Sequence, residues 1–157
     1  MGELNPLSQH QNHSTAQAVL QHLWSCDGDF VPPLSTRLNL SDYSQKICAH
    51  AERFEYCTAE PPSLVALVAA YFNRETGIGF VTNVSVLPNY RRHGLARHLM
   101  ERVVAEARAR GMNGLRLEAA AGDEATLRFY QRLDFVVLDL TGVGSSQPQF
   151  LTLELRL

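Results

Sequence analysis

Val84-Ser85-Val86-Leu87-Pro88-Asn89-Tyr90-Arg91-Arg92-His93-Gly94-Leu95-Ala96-Arg97 is the stretch whose reading decides the fold. It reads as the end of an apolar strand, a short basic turn and the first turn of an amphipathic helix. Pro88 cannot donate to a strand ladder, so the strand is expected to stop at about Leu87. Gly94 stands where the backbone begins to wind, with Arg91, Arg92 and His93 just before it. A helix start leaves its first N–H groups without internal partners and carries the positive end of the helix dipole. Glycine there lets another molecule approach the main chain, which makes the turn an anion cradle, with phosphate the obvious guest. The Walker pattern fails because Gly-Lys-Ser/Thr is absent, and the dinucleotide pattern fails because its second and third glycines are missing.

Downstream, the period predicts a helix over Gly94–Arg110, with Leu95, Leu99, Met100, Val103, Val104 and Ala107 as its buried stripe. Glu106 and Arg110 form an i,i+4 pair of the favourable order, and Gly111 supplies the C′ position. Leu115–Ala119 then reads as a strand parallel to the first, with the helix as crossover. Gly122-Asp123 caps a helix to about Leu133, and Phe135–Leu140 and Phe150–Leu157 are expected to close the sheet around a mobile-looking Thr141–Pro148. Upstream, Phe54–Thr58, Leu64–Asn73 and Ile78–Leu87 read as an antiparallel meander. Its third strand is apolar on both faces at Phe80, Val81, Val84 and Val86. Helices are expected from Ser14 or Thr15 to Cys26 and from Ser41-Asp42 to about Arg53. Asp27–Asp29 reads as a turn, Phe30–Leu34 as stiff and extended, and Trp24 as a core or pocket-wall aromatic.

The bulk properties suit one domain spanning residues 1–157. Apolar residues make up 45% and charged residues 19%, and the formal charge is −2, which gives no support for a general nucleic-acid binder. Cys26, Cys48 and Cys57 are odd in number and lack C-x-x-C spacing, so reduced thiols in a cytoplasmic protein are the plain reading. No signal peptide is expected, and Leu64–Phe72 is too short to span a bilayer. His10-x-x-His13 has no third ligand nearby, so no metal site is indicated.

Arg91-x-x-Gly94-x-Ala96 resembles the Q/R-x-x-G-x-G/A acetyl-CoA motif of the GNAT N-acetyltransferase superfamily. Val84 to Arg91 resembles the family's strand and turn, and Ala125 to Phe135 resembles its later segment, in which Ala and Tyr precede Leu-Gly-Phe. The likeness covers residues 60–157. It implies an α/β (α+β) fold, with a mixed, largely antiparallel central sheet of about six strands and helices on both faces. The family opens on a strand, whereas residues 1–14 are polar, offer no strand pattern and are expected to fray.

The same resemblance implies transfer of an acetyl group from acetyl-CoA to a primary amine. Arg91, Arg92, His93, Gly94, Leu95, Ala96 and Arg97 would hold the pyrophosphate, chiefly through main-chain N–H groups. Val84, Ser85 and Val86 would offer strand-edge groups to the pantetheine arm, and a free strand N–H near the thioester would serve the oxyanion. Tyr130 stands at the family's proton-donor position, and Glu118 at a position some members use as proton acceptor. Asp123 replaces the Asn that contacts pantetheine, and lacks that residue's amide donor. Asp134 replaces a Gly before Phe135, a backbone position Asp tolerates better than most residues.

The early helices and their loop would wall the acceptor pocket. For Phe30, Arg37 and Tyr43, however, ordinary packing and surface charge are the preferred reading. The acceptor stays open among amino acid, amino sugar, polyamine, antibiotic and protein amine, and a homodimer is admitted. A catalytically idle CoA-binding module and a nucleic-acid binder using Arg91, Arg92 and Arg97 are the competing classes.

Overall fold

A computed structural model of the chain describes residues 6–138 and 150–157. The elements run β1 (Leu7–Gln11), α1 (Ala16–Cys26), α2 (Leu40–His50), β2 (Glu52–Thr58), β3 (Ser63–Asn73), β4 (Ile78–Val86), α3 (Leu95–Ala109), β5 (Gly114–Ala120), α4 (Glu124–Gln131), β6 (Val136–Val137) and β7 (Phe150–Arg156). Short 3-10 turns lie at Asp27–Asp29, Leu34–Thr36 and Pro88–Tyr90. The strands form one sheet in the order β1-β2-β3-β4-β5-β7-β6, antiparallel except for the β4–β5 pair.

Two apolar layers sandwich the sheet. On one face α3 and α4 cover Phe54, Val68, Val81, Leu115, Leu117 and Leu153 with Leu99, Met100, Val103 and Tyr130. On the other, α1 and α2 cover Leu64, Leu67 and Ala69 with Val19, Leu23 and Ile47. Each such side chain taken from water contributes about 1.5–3 kcal/mol, so the helices are held by these stripes more than by their own propensity. The stripe expected on α3 is buried at Leu95, Leu99, Met100, Val103 and Ala107. Gly111 adopts φ 73 after the C-cap Arg110, and Glu106 pairs with Arg110 at 2.8 Å.

The structure corrects several expectations at the amino-terminal end and along β4. Among the described residues the sheet has seven strands rather than about six. The added one is β1, inside the segment expected to fray, which pairs in register with β2 from Leu7↔Thr58 to Gln11↔Phe54. Its anchor is the fully buried Glu55, whose carboxylate accepts the main-chain N–H groups of His13 and Ser14 at 3.3 and 2.9 Å and pairs with Arg53 at 2.9 Å. A buried carboxylate must be satisfied in this way, and here the satisfying groups are the turn that follows β1.

Arg53 accordingly lies in β2 rather than in the second helix, which ends at His50 and is capped by Asn39 accepting from Asp42 N–H at 3.0 Å. Trp24 is 57% exposed and is no core aromatic. β4 is not apolar on both faces. Asn83 and Ser85 are buried polar residues on the α1–α2 side, and Phe80 is part-exposed. The strand expected at Phe135–Leu140 is confined to Val136–Val137 up to residue 138, with residues 139–140 and Thr141–Pro148 outside the described residues.

Candidate active site

β4 and β5 share only three register positions, Ile78↔Gly114, Gly79↔Leu115 and Phe80↔Arg116. Beyond them β4 stays with β3 as far as Val86↔Ala66, while β5 stays with β7 as far as Ala120↔Phe150. The facing edges of residues 81–86 and 117–120 therefore separate in the middle of the sheet. Gly79 sits at the vertex, where a Cβ would lie 2.6 Å from Leu115 Cδ2 and 3.1 Å from Phe72 Cδ1, so a larger residue would have to displace those side chains. At the mouth of the wedge β4 carries a bulge. Ala69 faces Asn83 and Ala70 faces Val81, leaving Thr82 as the extra residue. The bulge turns both Thr82 and Asn83 toward α1 and α2, while Val81, Val84 and Val86 pack toward α3.

Two cavities fill the wedge. The first, about 550 Å³, is lined by Val84, Ser85 and Val86, by Arg91, Arg92, Gly94, Leu95, Ala96 and Arg97, and by Tyr130. The second, about 530 Å³, is lined by Phe30, Arg37, Tyr43, Thr82, Asn83, Glu118, Asp123 and Phe150, and again by Tyr130. Asp29, Phe30, Val84 and Tyr130 belong to both, so the cavities share a wall that includes Tyr130.

The first cavity owes its character to the turn before α3. Arg92 at φ 64 and Gly94 at φ 75 both take left-handed backbone, which gathers successive main-chain N–H groups on one side. Among the described residues Thr15, Asn39 and Asp123 each cap an α-helix with a side chain, but Gly94 has none to offer α3. The N–H groups at the start of α3 therefore have no side-chain acceptor, and a Cβ built at Gly94 would meet nothing within 4 Å. The result is an open anion site.

The side chains are more committed than the backbone. Arg91 pairs with Asp29 and donates through Nε to the Val86 carbonyl at 3.2 Å, and Arg97 pairs with Glu101 at 3.2 Å. His93 is exposed and outside the lining. Cys26, Phe129 and Arg132 line the cavity without any sequence signal having pointed to them. Burial pushes the Cys26 thiol up to about 11, which keeps it un-ionised.

In the second cavity Asp123 accepts Thr126 N–H at 3.2 Å and the Thr126 hydroxyl at 2.7 Å, so its carboxylate is occupied as the cap of α4. Asp123 thus lines the second cavity rather than the first, and as an acceptor it lacks the donor that the Asn it replaces would offer pantetheine. Asp134 takes φ 70, and the turn into Phe135 survives the substitution of glycine. Glu118 is exposed on the edge of β5. Tyr130 is buried edge-to-face between Phe129 and Phe135, with centroids 5.1 and 5.8 Å away. That burial, and secondarily the Asp123 charge, raise its pKa well above the ordinary phenol value. Phe30, Arg37 and Tyr43 all line this cavity, against the preferred reading of ordinary packing. Arg37 lies over the Phe150 ring at 4.7 Å, and the Tyr43 hydroxyl bonds the bulged Thr82.

A sheet split in its middle, with an open helix start at one strand's end, defines a class that the comparisons identify. Residues 16–135 match the model of the acetyltransferase (GNAT) family, so the chain belongs to that family and is an acyltransferase. It is 40% identical over 53 residues to the [ribosomal protein bS18]-alanine N-acetyltransferase of Escherichia coli strain K12, a match spanning 34% of this chain and 36% of that protein. A GNAT-family protein from Desulfovibrio desulfuricans superposes with a TM-score of 0.77 at 17% identity, covering 96% of this chain and 99% of that one. A Bacillus subtilis acetyltransferase in complex with CoA superposes with a TM-score of 0.71 at 14% identity, covering 97% and 99%. Among the described residues no helix is long and apolar enough to cross a membrane.

Proposed function

We propose that the protein transfers the acetyl group of acetyl-CoA directly to a primary amine of a small molecule. The observation that carries the reading is the wall, Tyr130 included, that the two cavities share. The anion site of Gly94–Arg97 takes the pyrophosphate, and the unpaired edge of Val84–Val86 takes the amide-rich arm as an added strand. A main-chain N–H freed by the Thr82 bulge faces the developing oxyanion. The amine enters from the second cavity and its nitrogen attacks the thioester carbonyl. As the C–S bond breaks, the thiolate takes the Tyr130 proton, and Glu118 takes the proton the nitrogen sheds. Both are roles for residues that line the space, and Asp123 is left holding α4.

The acceptor sets the second reading. The likeness to an alanine N-acetyltransferase over 53 residues supports, as the alternative, the amino terminus of a protein chain. One experiment tests both. Thiol release from acetyl-CoA is followed over alanine amide, glucosamine, spermidine and an alanine-initiated hexapeptide. Turnover with the first three only supports the small-molecule reading, and turnover with the hexapeptide alone supports the second. No thiol release with any of the four, from protein that binds acetyl-CoA, would leave an idle binding module.

A further inference from the structure

A buried hydrogen-bond chain stands behind β4, on the side facing α1. His22 Nδ1 lies 3.0 Å from the Leu64 carbonyl, and His22 Nε2 lies 2.8 Å from Ser85 Oγ. Ser85 Oγ lies 2.7 Å from the side-chain amide of Asn83. His22, Ser85 and Asn83 are 2, 6 and 3% exposed; as placed, the Asn83 amide turns Oδ1 to Ser85 and leaves Nδ2 without a partner among the described residues. Such an orphan in a native interior calls for an explanation.

Proton accounting identifies the orphan. A carbonyl only accepts, so His22 Nδ1 carries a hydrogen. The ring is buried against Leu64, Ser85 and the Cys26 sulfur, with no carboxylate among those contacts, and burial holds its pKa down at about 4. It is therefore neutral, and Nε2 accepts. The Ser85 hydroxyl spends its one hydrogen on Nε2 and can only accept from Asn83. That accounting reverses the amide as placed: with its NH₂ turned toward Ser85, the atom left over is the amide oxygen.

The neighbouring hydroxyls do not close the account. Asn83 lies beside the Tyr43 hydroxyl, whose oxygen is 2.9 Å from the Thr82 carbonyl and 2.7 Å from Thr82 Oγ1. Thr82 Oγ1 gives its hydrogen to Tyr43, and Tyr43 has one hydrogen for two acceptors, the Thr82 carbonyl and the Asn83 amide oxygen. The cluster is one donor short. Tyr43, Thr82 and Asn83 all line the second cavity, the space from which a donor can arrive.

We propose that the Asn83 amide oxygen accepts an N–H of the incoming amine and so selects primary over secondary amines. A primary amine has two N–H bonds, one for Asn83 and one for the base, whereas a secondary amine must forgo one of them. This rests on the acetyl-transfer reading above.

The test compares each active member of the four-amine panel with its N-methyl counterpart, in the wild type and in Asn83→Leu. Loss of the single hydrogen bond is expected to raise the primary amine's KM by about tenfold. The preference over the N-methyl form should shrink by a similar factor, with acetyl-CoA affinity unchanged. An unaltered KM and an unaltered preference in an active Asn83→Leu enzyme would overturn the proposal alone. A wild type that releases no thiol with any of the four overturns the acetyl-transfer reading and this proposal with it. Nitrogen NMR of His22 gives an answer even if the variant fails to fold. The neutral Nδ1–H tautomer is expected at pH 7, and an Nε2–H tautomer or an imidazolium overturns the assignment of the orphan as oxygen.

Discussion

The two cavities share a wall at Tyr130 and are built on opposite principles. The first cavity, the donor side on the proposed reading, is framed chiefly by one continuous stretch, with residues 84–97 supplying the strand edge, the left-handed turn and the open helix start. The acceptor side is side chain, gathered from the loop after α1, from α2, β4, β5 and α4, and from Phe150. Main-chain chemistry is indifferent to most side chains and asks only for glycine, proline and small residues at fixed places. Side-chain chemistry is specific to its guest and leaves no fixed spacing behind. On the proposed reading, the first cavity holds the donor by chemistry that constrains few side chains, and the second selects the acceptor.

Gly94→Glu breaks the comparison on the donor side and should have the largest effect. The new carboxylate occupies the anion site, and acetyl-CoA affinity is expected to fall by several kcal/mol, beyond about 10³-fold. The fold survives, because a side chain at Gly94 meets open space and costs only about 1–2 kcal/mol of left-handed strain. Calorimetry with acetyl-CoA on the folded variant checks it, and unchanged affinity would remove the turn from the donor site.

Tyr130→Phe strikes the shared wall. The ring keeps its packing between Phe129 and Phe135, so acetyl-CoA affinity should hold while kcat drops about 10²–10³-fold, the lower half of the range for general acids. Because burial raises the phenol's pKa, it stays protonated through the working range and contributes no falling limb to the kcat–pH profile below about pH 10. Normal turnover by the variant across that range would assign the proton to solvent.

His22→Gln sharpens the acceptor side. Its pKa in the fold, about 4, is below the ordinary 6.5, so between those values the unfolded chain binds a proton that the folded chain refuses. Stability is complete above pH 6.5 and is lost as pH falls toward 4, by about 3 kcal/mol at most. Urea denaturation between pH 4 and 7 should show that slope in the wild type and lose most of it in the variant. An equal slope in both would mean that other groups drive acid unfolding.

The smallest effect is expected for Glu118→Gln, which removes an exposed base that water can partly replace. The rate should fall about 10²-fold near pH 6, where the amine is mostly protonated, and recover toward pH 9. A pH-independent loss would recast Glu118 as a binding residue rather than a base.

The same division explains what could be read from the sequence. The α3 stripe, the crossover to β5 and the glycine at the helix start follow from periodicity and backbone rules acting within a few residues, and the left-handed Asp134 from the resemblance that puts a Gly at its position. The strand β1 did not, because its stability comes from Glu55 more than forty positions away. Arg37 and Tyr43 looked like ordinary surface and packing residues, since only the packing of α2 against the split sheet brings them to the cavity. The His22–Ser85–Asn83 chain left no pattern at all. Its partners lie on different elements, and the β4 alternation that would have shown them is interrupted at Thr82.

That interruption sets two kinds of change in β4 apart. Replacing the side chain at 82 alters a hydroxyl. Deleting the residue would leave every neighbour on its present face, Asn83 and Ser85 toward α1 and α2 and Val84 and Val86 toward α3, and would close the bulge by drawing β4 into even register with β3. Selection and laboratory engineering can therefore vary the chemistry of this wall freely, while its length in residues decides whether β4 keeps the bulge that holds its main chain out of even register with β3.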